Sequence, residues 1–188
     1  MILLFLKNGK KNYKAVRMKE GAVIWICGLA GAGKTSISRG LFCEMKKKYH
    51  NVILLDGDVI RSILGTEGYS FKERLKGSRK ISNLCSFLSE NGLIVICATI
   101  SLFKEINLLN RKNIKNYYEI FIECSMEELK RRDQKNIYSM AESGKIQNVF
   151  GIDIKYDIPD ADYILNNETQ DKLEEKVEII YKEIKKFL

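Results

Sequence analysis

A continuous apolar run, Ala22-Val-Ile-Trp-Ile-Cys27, ends directly in Gly28-Leu29-Ala30-Gly31-Ala32-Gly33-Lys34-Thr35-Ser36, and a helical pattern begins at once. A run that is apolar at every residue suits a strand buried on both faces of a parallel sheet. The residues after it fit G-x-x-x-x-G-K-[ST], the phosphate-binding loop, in the strand–loop–helix setting that loop requires. From average residue frequencies, a chance match in a chain of this length is on the order of 1%. The glycines let the backbone curl until successive N–H groups face inward as an anion nest. The helix N-terminus adds its positive end. Lys34 offers a point charge to β- and γ-phosphates, and Thr35 a hydroxyl to Mg²⁺. The glycine spacing does not fit G-x-G-x-x-G, which disfavours a dinucleotide fold.

Periodicity extends this unit into an alternating series. Val52–Leu55 reads as a second strand, ending at Asp56-Gly57-Asp58. Phe71–Glu90 reads as a helix closed by Asn91-Gly92. Leu93–Ala98 is a third strand, Phe103–Lys115 a helix and Tyr118–Cys124 a fourth strand. Ser125 is expected to cap the next helix, with Glu128 completing a capping box. Tyr163–Leu165 is a short last strand, and Thr169 opens a terminal amphipathic helix. The series predicts an α/β fold: a doubly wound, mostly parallel five-stranded sheet with helices on both faces. The carboxylate-bearing strand is expected beside the phosphate-loop strand. Residues 135–159 are weakly patterned and longer than an ordinary loop, so they are expected to form a lid with little core to hold it. Residues 1–17 are expected to be a poorly ordered tail or a start-site extension, with Met18 an alternative start, and 18–188 a single domain.

Composition removes most other classes. A single histidine, His50, excludes multi-His zinc sites and a second-histidine triad. The five cysteines, Cys27, Cys43, Cys85, Cys97 and Cys124, contain no C-x-x-C, so neither a redox motif nor a zinc knuckle is present, and a reducing cytoplasm is expected. No apolar run approaches the ~18 residues of a membrane span. Lys and Arg number 32 against 24 Asp and Glu, and the net charge of +8 favours anionic partners. There is no N-K-x-D run to specify guanine, and the chain is too short for a motor or transporter ATPase. A small-molecule kinase remains. The rival of another class is a non-catalytic basic nucleotide- or RNA-binding module; only the charge supports it, and no RNP-like run or helix-turn-helix accompanies that charge.

Such a kinase needs a carboxylate to align the acceptor hydroxyl, arginines for the acceptor's anions and a lid to exclude water. Asp56 and Asp58, two residues apart across a glycine, sit where open α/β sheets bind ligands. At these residues the chain resembles the adenylyl-sulfate kinases. Gly28–Ser36 is similar to their phosphate loop, and Asp56-Gly-Asp-Val-Ile-Arg61 to their D-G-D-x-x-R. Gly68-Tyr69-Ser70 with Arg74 and Arg79 resembles G-F-S…R…R, and Ile100-Ser101 resembles I-S-P. Arg132-Asp133-x-Lys135 resembles R-D-x-K-G-L-Y, and Gly151-Ile-Asp153 with Tyr156-Asp157-x-Pro159 resembles F-T-G-I-D-x-P-Y-E-x-P. The set runs in order from about Gly21 to Leu165. It implies transfer of the ATP γ-phosphoryl to a ribose 3′-hydroxyl of a nucleotide, by a homodimer that binds neither nucleic acid nor membrane.

The resemblance assigns roles. Lys34, Asp58 and Asp56 are catalytic: Asp58 aligns or deprotonates the 3′-hydroxyl, and Asp56 with Thr35 serves Mg²⁺. Gly28 to Ser36 bind ATP, and Arg132 stacks on its adenine. Arg61 and Arg74 clamp the acceptor's diphosphate-like group, with Arg79 and Lys135 weaker candidates. Tyr69 and Phe150 stack on the acceptor base; Gly77, Ile100, Ser101 and Val149 line its site. Departures fall on the base-reading side. The F-T-G-I phenylalanine aligns with Val149, Phe150 is displaced by one, and an expected asparagine is Gly77. A relative of the family resembles it closely while phosphorylating cytidine diphosphoramidate for capsule modification. The altered pocket suits that pyrimidine acceptor, with adenylyl sulfate the alternative.

Overall fold

The computed structural model describes residues 20–66 and 68–188, and residues 3–7 and 10–14 through their backbone. Strand β1 (Leu3–Lys7) pairs antiparallel with β2 (Lys10–Lys14) as a separate two-stranded sheet. These strands lie within the segment expected as a tail; the rest of 1–17 lies outside the described residues.

The main sheet has five strands in the order β4-β5-β3-β6-β7. They are β3 (Ala22–Cys27), β4 (Val52–Asp56), β5 (Ile94–Thr99), β6 (Tyr117–Glu123) and β7 (Tyr163–Asn166). Every pairing is parallel, so the expected "mostly parallel" sheet is wholly so. All residues of β3 and β5 are buried, as their uninterrupted apolar runs require. Trp25, the one tryptophan of the chain, lies between Cys97 and Glu119 with no solvent exposure. The strand carrying Asp56 is not beside β3. It pairs with β5, which lies between them, because β5 offers a strand apolar on both faces and takes the interior place.

Two helix layers cover the sheet: α1 (Lys34–Lys46) packs with α7 (Leu173–Phe187), and α3 (Phe71–Glu90) packs with α4 (Lys104–Asn113). The short helices are α2 (Gly57–Ile63), α5 (Met126–Arg132) and α6 (Ile137–Glu142). A capping box of Ser70 and Glu73 starts α3, and Gly92 at φ 83° follows its last turn. Ser125 caps α5 as expected, but Glu128 does not return to the Ser125 N–H. That group donates to Glu168, while Glu128 pairs with Arg131 and Arg132. The terminal helix starts at Leu173 after Lys172 at φ 55°, later than Thr169. Residues 135–159 also differ from expectation. Tyr138, Val149, Phe150 and Ile154 are all buried in the main core, spaced too irregularly to show as a pattern. The longest exposed run in the segment is 142–145.

Candidate active site

The phosphate loop is held from outside by side chains. Leu29 O accepts from Lys34 Nζ at 2.7 Å and Ala30 O from the Tyr138 hydroxyl at 2.8 Å. Gly31 O accepts from Arg132 Nη1 at 3.2 Å and Ala32 O from Asn167 Nδ2 at 2.6 Å. The carbonyls of Ala30, Gly31 and Ala32 are thus turned outward to bracing side chains, while that of Leu29 is held by the loop's own lysine. A planar trans peptide points its C=O and N–H in opposite directions, so the amides of Gly31 and Gly33 are turned into the nest, while the Ala32 N–H is spent on Leu29 O at 3.2 Å. Gly33 caps α1 at φ 100°, in the region a side chain disfavours. Burial pulls the Lys34 ammonium down to about 8, against the opposing pull of Cys27, Asp58 and Asp56. Ser36 is exposed in the first turn of α1.

At the end of β4, Asp56 Oδ1 accepts the Asp58 N–H at 3.1 Å and caps α2, while Oδ2 lies 3.5 Å from Thr35 Oγ1. A hydroxyl and a carboxylate converge beside the nest, which is the donor set a magnesium ion takes alongside phosphate oxygens. Among the described residues no cluster of three or more His, Cys, Asp or Glu side chains could hold a metal by itself. Gly57 has no room for a side chain, since a Cβ would meet Ala98 O at 2.8 Å. That close approach lets Asp58 turn outward: its side chain is 76% exposed, with Lys135 Nζ at 3.3 Å.

The acceptor side is looser. Tyr69 is 62% exposed, with the Arg61 and Arg74 guanidinium carbons 5.0 and 5.1 Å from its ring centroid. Each arginine spends its Nε and Nη2 on backbone carbonyls, Arg61 on Thr66 and Gly68, Arg74 on Tyr69 and Asn148. Nη1 of each is left for an anion, and neither forms an ion pair among the described residues. Burial and the positive charge of Arg61 lower the pKa of Arg74.

Several expected residues are placed otherwise. Phe150 is 4% exposed, packed edge-on against Phe103 at 5.4 Å with Arg74 over its ring, so it has no open face for a base. Val149 is buried beside it. Arg79 pairs with Glu105 on α4, away from the cleft. Arg132 ends α5, and only 2% of its side chain is exposed. Its donors go to Glu128, Gly31 O and Asn167 O, so it braces the loop instead of facing an adenine. Those two arginines, Arg131 and Arg132, draw Glu128 down to about 2. Ser101 is buried with its hydroxyl unpartnered among the described residues, and Ile100 is half-buried. Gly77 faces Thr66, whose Cβ and Oγ1 would lie 3.4 Å from any added Cβ.

Sequence reading missed Tyr138 and Asn167 as loop braces, and Lys176 behind Asn167. Only the phenol of Tyr138 fell within a quoted motif. Asn167 lies in a polar stretch after the last strand, where nothing in the spacing marks it.

Comparisons with known proteins bear on the family and the fold. The family model described as Adenylylsulphate kinase matches residues 20–166. The chain is 49% identical over 162 residues to the cytidine diphosphoramidate kinase of Campylobacter jejuni, covering 86% of this chain and 95% of that one. It is 38% identical over 177 residues to the adenylyl-sulfate kinase of Pseudomonas aeruginosa, covering 93% and 88%. Among solved structures, the Mycobacterium tuberculosis APS kinase in complex with AMPPNP and APS superposes with a TM-score of 0.81 at 27% identity, covering 88% of this chain and 98% of that one.

Proposed function

The chain belongs to the adenylyl-sulfate kinase family, and on that premise we propose that it transfers the ATP γ-phosphoryl to the ribose 3′-hydroxyl of cytidine diphosphoramidate. One observation carries the choice of acceptor: of the two aromatics expected to stack on the base, Tyr69 is open, while Phe150 is closed off by Arg74 and Phe103. Stacking contributes ~1–3 kcal/mol per base, and a purine loses more area than a pyrimidine when one face of its clamp is gone. The likeness to the Campylobacter jejuni enzyme supports the same reading.

In this mechanism the nest and Lys34 hold the triphosphate. Asp58, exposed at the cleft, accepts the proton of the 3′-hydroxyl as its oxygen bonds to the γ-phosphorus. The bond from that phosphorus to the β,γ-bridging oxygen breaks, and ADP leaves with the electron pair. Arg61 and Arg74 hold the acceptor's anionic groups through Nη1. Lys135, drawn to Asp58 from the segment beyond α5, brings a cation to the transferring group. Thr35 and Asp56 would hold Mg²⁺, which supplies charge neutralisation at the phosphates. Residues 135–159 act as the lid, its exposed run 142–145 moving more than the anchored Tyr138 and Val149 to Ile154. The enzyme acts in the cytoplasm as a homodimer. Among the described residues no helix is long and apolar enough to cross a membrane.

The test is an acceptor panel of cytidine diphosphoramidate, adenylyl sulfate, CDP and ADP with ATP, read as kcat/KM. The cytidine diphosphoramidate should lead. Preference for adenylyl sulfate by about tenfold or more would return the chain to the second reading, which the family model and the Pseudomonas aeruginosa relative favour.

A further inference from the structure

Of the four bonded carbonyls in the phosphate loop, Ala32 O belongs to the peptide whose N–H is that of Gly33, next to the catalytic lysine. The group that holds it is the amide of Asn167, a residue 6% exposed at the end of β7. All four polar groups of Asn167 are engaged. Its N–H donates to Glu123 O at 2.8 Å, and its carbonyl accepts from Arg132 Nη2 at 2.6 Å. Its side-chain Nδ2 donates to Ala32 O, and its Oδ1 accepts from Lys176 Nζ at 2.9 Å. The orientation of the amide is forced, because Lys176 can only donate and a carbonyl can only accept. Lys176 is itself fixed: its side chain is 13% exposed and also donates to Thr169 O and Asp171 O. The amide sits so close to the loop that a Cβ on Gly33 would collide with Nδ2.

We propose that Asn167, oriented by Lys176 of α7, is a positioning residue for phosphoryl transfer, holding the Ala32–Gly33 peptide with its N–H toward the phosphates. The inference rests on ATP as donor and is independent of which acceptor is used. It makes the last turn of chain before α7 part of the ATP machinery, although it donates nothing to the nest itself.

The experiment measures binding of a fluorescent ATP analogue without acceptor, then KM for ATP and for acceptor, in Asn167→Asp, Asn167→Ala and Lys176→Met. Asn167→Asp is the discriminating change. It keeps the shape and strengthens the contact to Lys176, which also neutralises its charge, but it cannot donate to Ala32 O. Loss of a donor that leaves a buried carbonyl unpaired predicts a roughly tenfold or greater loss of ATP affinity in Asn167→Asp. Asn167→Ala should lose roughly threefold to tenfold, and Lys176→Met should lose less in the same direction, because the Asn167 amide keeps Ala32 O as one of its two anchors. KM for acceptor should not move. If Asn167 merely holds the loop to Lys176, Asn167→Asp would bind ATP as the wild type does, and that result overturns the proposal. Should Asn167→Asp fail to fold, an ATP affinity in Asn167→Ala equal to wild type overturns it instead. A wild type that binds no ATP analogue would sink the donor reading, and the proposal with it.

Discussion

The phosphate loop and the acceptor pocket are built by opposite means. In the loop, four successive carbonyls are bonded by side chains from α1, α5, α6 and the end of β7, and three of those braces are buried. In the acceptor pocket, the open aromatic is 62% exposed, the arginines are tied by two donors each to surface-loop carbonyls, and Asp58 points to solvent. The difference follows from what each must bind. Triphosphate is the same in every kinase, so its site can be fixed before it arrives. An acceptor site held by few, exposed contacts can change its ligand without disturbing the core.

The contrast is most sharply tested at its catalytic edge. Lys34→Ala and Asp58→Asn should each lower kcat by ~10²–10⁴, with the melting temperature of Asp58→Asn unchanged because its side-chain pairing with Lys135 is an exposed one. Near-wild-type kcat in Asp58→Asn with the true acceptor would remove it as the base. Next in size, Tyr69→Ala should raise KM for acceptor by roughly 5- to 150-fold, the equivalent of ~1–3 kcal/mol of stacking, and leave KM for ATP alone. A matching rise in KM for ATP would mean the two halves are not separable.

The pH dependence comes third. Lys34 titrates at about 8 in the free chain because burial disfavours its charge. A bound triphosphate favours the ammonium and raises that pKa. ATP affinity is therefore full below pH about 8, and falls by up to about tenfold for each unit above it, with proton uptake on binding. Calorimetry in buffers of different ionisation enthalpy would show the uptake; its absence at pH 9 would place the proton elsewhere. The smallest effect is expected from Gly77→Asn. Its Cβ would crowd Thr66, which donates to Arg61 O at 3.2 Å. Alone it should change acceptor preference only a few-fold; together with Thr66→Ala, which clears the space, it should shift kcat/KM toward adenylyl sulfate. No shift in the double variant would show that position 77 does not read the base.

What the sequence disclosed follows the same division. The strand–loop–helix around Gly28 to Thr35, the pair Asp56 and Asp58 and the alternation of strands and helices in an α/β sheet were legible, because local backbone rules and periodicity write them in consecutive residues. The neighbour of β4 was not, since pairing order depends on which strands can be buried on both faces. The core of 135–159 escaped notice because Tyr138 comes from the short helix α6 and Val149, Phe150 and Ile154 from the irregular stretch after it, rather than from one periodic element. Arg132 was assigned to adenine by resemblance, whereas its guanidinium is consumed by Glu128, Gly31 and Asn167. Long-range bonds of this kind leave no spacing to read.

Trp25 gives the molecule a built-in optical probe. As the one indole in the chain, sealed at the middle of the central strand, it should emit at short wavelength and resist quenching by iodide. Nucleotide and acceptor will barely alter that emission, because neither reaches the sheet interior. Red-shifted light from this protein will therefore report rupture of the central sheet and nothing milder, so denaturation followed at that wavelength separates variants that lose their fold from those that lose only their chemistry.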